Sequence, residues 1–397
     1  MSDNFIRVNK KLLPLSWIYG AGVGLRNLLF ETGVLKSRAY DVPVISVGNI
    51  TVGGTGKTPH VEYLVRLLKD QMKVAVLSRG YKRKSRGFLM ATAETTARQL
   101  GDEPYQMKQK FPEVTIAVDR RRTHGIDTLL ATAETSDTDV IVLDDAFQHR
   151  YVKPGINILL VDYHRNIIHD RLLPAGRLRE PLKAKDRADI VIVTKCPADL
   201  SPMDYRVLTK QMDLYPYQQL YFTTIDYEPL RPLFPSQAQP EADIDGRHVL
   251  LLSGIASPTK LRLDIENHHS PASLTNMAYA DHHNFSSKDI RRINEAFAAM
   301  PEPRIIVTTE KDAARLATAE GLADQVRSSL YLLPIRVRFM LGGEQAFSES
   351  IIRYIKTNSR NSILASSSQG DSPHASQGRT EGLSHCEPDK PTIISFK

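Results

Sequence analysis

The stretch VISVGNITVGGTGKTPH, residues 44–60, decides the fold. An apolar run comes first, a glycine-rich loop follows it, and a helical pattern begins near Lys57. This order is typical of a phosphate-binding loop, in which backbone N–H groups surround phosphate oxygens and the following helix adds its positive dipole end. Thr51 stands where such loops usually carry their first glycine, and Pro59 is compatible with a first helical turn. The stretch therefore predicts a nucleotide-binding α/β fold.

Each part of this loop has a predicted role. Lys57 would place a positive charge on the outer phosphates, and the hydroxyl of Thr58 would bind Mg²⁺. The backbone N–H groups of the glycine-rich part would surround the phosphate oxygens. The predicted nucleotide-binding residues are Thr51, Val52, Gly53, Gly54, Thr55, Gly56, Lys57 and Thr58.

Beyond the loop, short apolar runs alternate with helical patterns. Residues 60–70, HVEYLVRLLKD, place Val61, Leu64, Val65 and Leu68 on one helical face. The runs KVAVLSRG, VIVLDDAFQH, INILLVDY and ADIVIVTKCP lack polar alternation, as expected for strands that are covered on both faces. The sequence therefore predicts a P-loop NTPase-type fold with a doubly wound, mostly parallel sheet.

Changes in composition divide the chain into four predicted regions. We expect an N-terminal membrane-associated helix in residues 1–40, a P-loop domain in 41–230, a smaller α/β domain in 231–357 and a disordered tail in 358–397. The segments QLYFTTIDYEPL and LYLLPIRVRF flank the smaller domain, so we expect them to pair as a two-stranded connector.

Charge and cysteine content narrow the range of partners. Residues 1–90 contain fifteen Lys and Arg but only five Asp and Glu, although the whole chain has a net charge of +7. This basic end favours an anionic partner such as a nucleotide, a phospholipid or a phosphorylated substrate, and a merely soluble basic surface is the alternative. Cys196 and Cys386 are too far apart in the sequence to indicate a disulfide framework or a metal site.

Residues 12–30, LLPLSWIYGAGVGLRNLLF, form an apolar segment that Pro14, its glycines and Arg26 make unsuitable for spanning a bilayer. Trp17 and Tyr19 are typical of membrane interfaces, and basic residues precede them. The segment predicts a helix that lies on an anionic membrane surface. A helix docked on the protein's own core is the alternative.

A second polar site follows another predicted strand. The run VIVLDDAFQH ends its apolar part with Asp144 and Asp145, as expected of a Walker B strand. One of these aspartates would bind Mg²⁺ directly or through water. The sequence does not indicate which of the two aspartates contacts the ion directly.

Eight motifs occur together and in order: SVGNITVGGTGKTP, LSRGYKR, GDEPYQM, VLDDAFQHR, LLPAGRLREP, SGIASP, DHHNF and VTTEKDA. In this combination the chain resembles the tetraacyldisaccharide 4'-kinase family of lipid A biosynthesis, from about residue 15 to residue 345. Members of this family usually have the motifs LDDGFQH and SRGYGR. Ala146 and Lys82 are therefore mild departures that affect no catalytic group.

The resemblance implies an ATP- and Mg²⁺-dependent lipid kinase. Such an enzyme phosphorylates the 4'-hydroxyl of a tetraacyldisaccharide 1-phosphate and so makes the lipid A precursor lipid IVA. It works at the cytoplasmic face of the inner membrane, as a peripheral protein. The expected partners are thus an acylated disaccharide lipid and a membrane surface, with no nucleic acid and no obligate protein partner.

The resemblance also implies roles for individual residues. Asp102 in GDEP matches the catalytic aspartate, and its histidine partner in DHH aligns with His282, with His283 as the alternative assignment. Glu103 matches a neighbouring Mg²⁺-linked acid, and Asp144 with Asp145 matches the Walker B pair. The positions that match substrate-binding residues are Tyr81, Arg120, Gln148 and Arg177.

Elementary chemistry agrees with this assignment. A sugar hydroxyl has a very high pKa, so a base such as the Asp102–His282 pair must accept its proton. Because His282 falls in the second predicted domain, we expect the active site in an interdomain cleft. A membrane-associated partitioning-type ATPase is the main alternative, but it requires a lysine where Val52 stands. A GTPase requires an acid where VIVTKCPAD has Pro197.

Overall fold

The computed structural model describes residues 8–235, 242–255, 258–280 and 283–359. Within these residues, two mostly parallel sheets are packed with helices, which confirms the predicted α/β class. The predicted tail lies outside the described residues from position 360 onward.

In chain order the strands are β1 (Val44–Gly48), β2 (Val74–Ser78), β3 (Leu89–Met90), β4 (Thr115–Val118), β5 (Val140–Asp144), β6 (Ile156–Asp162), β7 (Ile190–Thr194), β8 (Gln219–Tyr227), β9 (Arg231–Pro232), β10 (His248–Ser253), β11 (Ser273–Ala278), β12 (Arg304–Thr309), β13 (Leu330–Leu333) and β14 (Ile335–Phe339). The α-helices are α1 (Leu13–Glu31), α2 (Lys57–Leu68), α3 (Ala97–Leu100), α4 (Asp102–Lys110), α5 (Arg122–Ala131), α6 (Pro202–Met212), α7 (Pro258–His268), α8 (Ser287–Ala298), α9 (Glu310–Leu316), α10 (Asp324–Ser328) and α11 (Gly343–Thr357). Short 3₁₀ segments cover Lys10–Leu12, Tyr163–Arg165, Ile167–His169 and Leu182–Arg187.

The larger sheet has the strand order β14-β8-β7-β6-β1-β5-β2-β4-β3. Its inner pairs are parallel, and the pairs β3–β4 and β8–β14 at its two ends are antiparallel. In the register of β1 and β5, Val47 lies opposite Asp144. The carboxyl end of β1 therefore leads into the glycine-rich loop directly beside the predicted Walker B aspartates, which is where open α/β sheets bind ligands.

The strands of the larger sheet are covered on both faces, as their apolar runs predict. Val47 and Val142 belong to the core that packs against α2 and α11, whereas Leu77 and Leu143 face the core that includes Ile126 of α5. Two covered faces leave the loops at the carboxyl edge as the place where polar side chains gather.

Helix α2 begins immediately after Gly56, whose φ of 84° lies in the left-handed region that glycine adopts without strain. Its predicted apolar face is buried, and Tyr63 and Glu62 on its flank are buried as well. The hydroxyl of Tyr63 donates a hydrogen bond to Glu344 of α11 at 3.1 Å. Helix α2 is therefore enclosed on more sides than its amphipathic pattern indicates.

The smaller sheet has the order β11-β10-β12-β13-β9, and its inner strands are parallel. The chain then returns to the larger sheet, where β14 pairs with β8 and α11 buries Phe347 and Ile351 in the larger core. The expected pairing of the two connector segments is confirmed, although it forms the end of the larger sheet. The predicted boundaries 41–230 and 231–357 stay predictions. Residues 335–357, which they assign to the smaller domain, pack with the larger sheet.

Helix α1 packs one side on the loop before β7. The hydroxyl of Ser16 donates to the carbonyl of Leu172 and accepts from the N–H of Ala175, both at 2.9 Å. Tyr19 donates to the carbonyl of Arg179 at 2.9 Å. Within the described residues, no helix has both the length and the apolar character to cross a membrane. The other side of α1 exposes Leu15, Trp17, Ile18, Leu25 and Leu28.

Candidate active site

The glycine-rich loop has the free N–H groups that a phosphate site needs. Within the described residues, the backbone N–H groups of Gly53, Gly54, Thr55 and Gly56 donate no hydrogen bond to the protein. Gly53 and Gly56 have positive φ values of 116° and 84°. Consecutive unpaired N–H groups before a helix N-terminus form a concave anion site, so the loop fits phosphate oxygens.

The outer side of the loop is held by neighbouring strands. Asn49 donates to the hydroxyl of Thr55 at 2.9 Å, and the hydroxyl of Thr194 donates to the carbonyl of Thr55 at 2.9 Å. Lys195 donates to the carbonyl of Gly54 and, at 2.8 Å, to Asp162. These contacts use the Thr55 hydroxyl and two carbonyl groups of the loop and leave its N–H groups available for a ligand.

His60 fixes the junction of the loop and α2. Its Nδ1 lies 2.7 Å from the carbonyl oxygen of Gly56, and its Nε2 lies 3.0 Å from the hydroxyl of Thr223. Burial lowers the pKa of His60 to about 4, more than the contact with Gly56 raises it. The imidazole is therefore neutral at physiological pH and serves as a hydrogen-bonding brace.

Lys57 meets a carboxylate of the predicted Walker B pair. Its Nζ lies 3.5 Å from Oδ1 of Asp145, and Nη1 of Arg179 lies 3.6 Å from the other oxygen of this carboxylate. Asp145 has a φ of 47°, a left-handed conformation that aspartate tolerates better than most residues. Burial raises the pKa of Asp145, but the charges of Lys57, Arg179 and Arg122 outweigh it and leave this pKa below its usual range.

Asp144 is buried beside this pair, and its carboxylate has no cationic hydrogen-bond donor among the described residues. Its Oδ2 accepts from the hydroxyl of Ser78 at 3.0 Å, whereas Oδ1 has no hydrogen-bond partner in the described part of the chain. Burial raises the pKa of Asp144, and the nearby charges of Glu103 and Asp145 raise it further.

The arrangement of these carboxylates fits a divalent cation. Oδ1 of Asp144 is buried without a hydrogen-bond donor among the described residues, and Oδ1 of Asp145 has the ammonium group of Lys57 3.5 Å away. Mg²⁺ prefers oxygen ligands and is usually held by one or two carboxylates together with substrate phosphates. Asp144, Asp145 and Glu103 would supply the oxygens, and Thr58 would add a hydroxyl at the start of α2; this ligand set stays a prediction.

Asp102 is the first residue of α4 and contacts the smaller unit. Arg315 of α9 donates to both of its carboxylate oxygens, from Nε at 3.3 Å and from Nη2. Nη1 of Arg315 also donates to Asp312 at 3.4 Å and to the carbonyl of His283 at 3.2 Å. The predicted base is thus joined through Arg315 to the DHH segment, although that contact uses a backbone carbonyl.

The predicted partner His282 lies outside the described residues. The alternative, His283, has its Nε2 3.0 Å from Asp289 at the start of α8 and its ring stacked on Tyr279 at a centroid distance of 4.8 Å. Its imidazole therefore contacts a carboxylate in the first turn of α8, the helix that follows His283 in the chain. Which histidine pairs with Asp102 stays a prediction.

The remaining predicted residues differ in their proximity to the carboxylates. Gln148 donates to the carbonyl of Asn49 and lies 3.5 Å from Nη1 of Arg179. Arg177 accepts the N–H of Val52 on its carbonyl at 2.8 Å, and its side chain is exposed. Tyr81 and Arg120 are also exposed, on the loops after β2 and β4 at the same sheet edge. No contact among the described residues joins Arg120 or the Arg177 side chain to the carboxylate pair, so both assignments stay predictions.

The sequence patterns do not identify several contacting residues. Arg179 contacts Asp145 from the motif LLPAGRLREP, in which the sequence favours Arg177. Arg122 is the buried member of three consecutive arginines and donates to the carbonyl of Asp144 at 2.9 Å. Arg315 lies in the helix after VTTEKDA, where its helical position gives no sign of a distant carboxylate.

Comparisons with known proteins agree with this geometry. A family model described as LpxK, tetraacyldisaccharide-1-P 4'-kinase, matches residues 8–356. A tetraacyldisaccharide 4'-kinase from Phocaeicola vulgatus is 56% identical over 365 residues, which cover 91% of this chain and 99% of the relative. Another, from Bacteroides thetaiotaomicron, is 50% identical over 376 residues, covering 92% of this chain and 98% of the relative.

A solved structure is also similar. The crystal structure of an "apo" form of LpxK from Aquifex aeolicus, described as a complex with ATP, superposes with a TM-score of 0.66. It shares 30% sequence identity, and the match covers 87% of this chain and 99% of that chain. The match over nearly the whole chain, together with the phosphate loop and its paired carboxylates, leads to one conclusion: the chain belongs to the tetraacyldisaccharide-1-phosphate 4'-kinase family.

Proposed function

We propose that this protein transfers the γ-phosphate of ATP to the 4'-hydroxyl of a tetraacyldisaccharide 1-phosphate. One observation carries the proposal: Lys57 contacts Asp145 of the Asp144–Asp145 pair, beside a loop whose N–H groups are free among the described residues. Membership of the kinase family and the ATP complex of the similar structure support the same substrates.

The residues of the loop bind and orient the nucleotide. The free N–H groups of Gly53–Gly56 would hold phosphate oxygens, and Lys57 would place its charge against the outer phosphates. Arg179 would add a second positive charge on the opposite side of Asp145. When bound by Asp144, Asp145, Glu103 and Thr58, Mg²⁺ would neutralise charge on the transferred group.

Asp102 would act on the acceptor hydroxyl. The guanidinium of Arg315 donates to its carboxylate, and Asp102 stands at the N-terminus of α4 beside Glu103, whose charge acts on Asp144. With His282 as its expected partner, this carboxylate would orient the hydroxyl, and the imidazole would accept the proton as the new bond to phosphorus forms. Tyr81, Arg120, Gln148 and Arg177 would line the acceptor side of the site.

The acceptor is a lipid, and α1 supplies a surface to meet it. Its outward side carries five exposed apolar residues, including Trp17 and Ile18, each 71% exposed. Its inward side is tied to the loop that carries Arg179. This arrangement supports binding to the inner membrane at its cytoplasmic face, in a peripheral mode, with the lipid entering between α1 and the phosphate loop.

The test is an assay of phosphate transfer from labelled ATP. We expect product with the tetraacyldisaccharide 1-phosphate and Mg²⁺, none with EDTA, and none with free glucosamine as the acceptor. Asp102→Ala should lower kcat far more than it changes the KM for ATP. Hydrolysis of ATP without labelling of the lipid would contradict the proposal and would favour the partitioning-type ATPase.

A further inference from the structure

Two contacts join α4 to α9 at different points along both helices. At one point, Asp102 at the start of α4 accepts from Arg315 of α9. At the other, Lys110 at the end of α4 donates to Glu310 at the start of α9, at 2.7 Å. The eight residues from Asp102 to Lys110 separate the two points by about 12 Å along α4. Two separated contacts prevent one helix from rotating against the other.

Lys110 makes a second ion pair within the larger unit. Its Nζ also donates to Oε2 of Glu62 in α2, at 2.6 Å. The other oxygen of Glu62 accepts from Gln106 of α4 at 2.9 Å. All three charged side chains are largely buried, with exposed fractions of 9% for Lys110, 2% for Glu62 and 12% for Glu310.

Lys110, Glu62 and Glu310 form a charged triad that joins helices α4, α2 and α9. Each of these helices carries a residue of the candidate site. Helix α2 begins with Lys57, α4 begins with Asp102, and α9 carries Arg315. Glu310 also accepts, at 3.4 Å, from the N–H of Ile335, where the chain returns to the larger sheet. The triad therefore lies at the junction of the phosphate-loop helix, the helix of the predicted base and the smaller unit.

A buried triad of this kind is poorly explained by stability alone. Burial raises the pKa of Glu62 more than the adjacent Lys110 lowers it, and the negative charge of Glu310 raises this pKa further. Replacing buried ion pairs by apolar side chains is often neutral or stabilising, and the best-attested use of such pairs is to specify one arrangement of the elements they join. The arrangement specified here is that of three helices around a reacting centre.

We propose that Lys110 is a positioning residue that holds Asp102 at a fixed place relative to the phosphate-binding loop. It does so by joining Glu62 of α2 to Glu310 of α9. The inference rests on the proposed function, since it acts through the predicted base of the kinase. Misplacement of a reacting group by about 1 Å costs up to a hundredfold in rate, so loss of the triad should be measurable as lost turnover.

The experiment compares Lys110→Met, Lys110→Arg and Lys108→Met in the full-length protein. Lys108 is a matched control, because within the described part of the chain its Nζ donates only to the carbonyls of Pro112 and Val114 beyond the same helix. We expect Lys110→Met to lower kcat about tenfold or more while the KM for ATP changes less than about twofold. Lys110→Arg should recover most of the rate, and Lys108→Met should match the wild type.

The decisive comparison repeats Lys110→Met in an Asp102→Ala background, with residual turnover measured at high enzyme concentration. If Lys110 acts through Asp102, its replacement should lower the residual rate no further. The same fold loss in both backgrounds, or an unchanged kcat in the single variant, would overturn the positioning role. If Lys110→Met fails to fold, Glu310→Gln keeps the Glu62–Lys110 pair and tests the same dependence on Asp102. A wild-type protein without lipid kinase activity would instead contradict the proposed function.

Discussion

The ammonium group of Lys57 lies 3.5 Å from Oδ1 of Asp145, across the ends of two strands that neighbour each other in the larger sheet. The lysine of a phosphate loop is expected to bind the phosphates of a nucleotide. The Asp145 carboxylate pairs with Lys57 here, so a nucleotide would compete with Asp145 for this lysine. Burial raises the pKa of Asp145, but the charges of Lys57 and Arg179 outweigh it, so this carboxylate stays ionised in a site from which water is partly excluded.

Replacement of Lys57 should separate catalysis from folding. Lys57→Met removes the charge that would face the outer phosphates but keeps the apolar stem, so we expect kcat to fall about a hundredfold or more. Far-UV circular dichroism and thermal unfolding should match the wild type to within a few degrees. Lys69→Met, at the surface end of the same helix, is the control. Retained transfer of phosphate by Lys57→Met would rule out the assignment of the loop.

The two aspartates should differ in their effect on the Mg²⁺ requirement. Asp145 already has Lys57 and Arg179 nearby, whereas Asp144 is buried with one carboxylate oxygen free of donors among the described residues. We therefore expect Asp144→Asn to raise the Mg²⁺ concentration for half-maximal activity more than Asp145→Asn does. Titration of activity with Mg²⁺ at saturating ATP measures this.

Asp137, in the segment that leads into the same strand, is a control for the aspartate comparison. Asp137 precedes β5 at its opposite end, is largely exposed and pairs with Lys73. Asp137→Asn should leave the Mg²⁺ titration unchanged. An equal response of both site variants would mean that Asp144 and Asp145 share the metal, and a larger response of Asp145→Asn would reverse the assignment.

Sequence patterns predict those parts of the site that follow from local order along the chain. The loop and the Asp144–Asp145 pair can be placed together in advance, because parallel strands bring their carboxyl ends to one edge. Arg315 cannot be found in this way, since 213 positions separate it from Asp102 and only the packing of α9 on α4 brings them together. Among three consecutive arginines, burial at the start of α5 selects Arg122, and composition carries no trace of that choice.

The fold, like the site, has features that local sequence patterns predict and features that depend on long-range packing. Unbroken apolar runs predict the covered parallel strands, and the helical face of residues 60–70 predicts α2. The return of β14 and α11 to the larger core is a long-range event that no local pattern predicts, whereas the change of composition near residue 358 marks only where α11 ends. Local patterns describe what an element is more reliably than which sheet it joins.

Arg179 and Arg177 should affect different steps. Arg179 lies 3.6 Å from the Asp145 carboxylate, so Arg179→Ala should lower kcat about tenfold or more through lost charge at the transferred phosphate. The exposed Arg177 side chain contacts none of these groups among the described residues, and its backbone carbonyl survives substitution. Arg177→Ala should therefore raise the KM for the lipid and spare kcat. Steady-state kinetics with both substrates varied would decide, and the reverse pattern would exchange the two roles.

The packing of α11 on the larger sheet predicts a large loss of stability on truncation of its buried face. Ile351 is fully buried in the core that contains Val47, so Ile351→Ala should lower the free energy of unfolding by about 2–5 kcal/mol. Glu349→Ala on the exposed side should stay within about 0.5 kcal/mol of the wild type. Urea unfolding of both variants measures the difference, and equal stabilities would argue that residues 343–357 are no part of this core.

The outward side of α1 should provide most of the affinity for membranes. Trp17 and Ile18 are each 71% exposed, so the double variant Trp17→Ser/Ile18→Ser removes apolar area that a bilayer would bury without disturbing the contacts of Ser16 and Tyr19. We expect sedimentation with vesicles of phosphatidylethanolamine and phosphatidylglycerol to weaken about tenfold or more. Met203→Ser, an exposed apolar position on α6, should bind vesicles like the wild type. Unchanged binding by the double variant would move the membrane contact away from α1 and would leave its apolar side as a surface for another purpose.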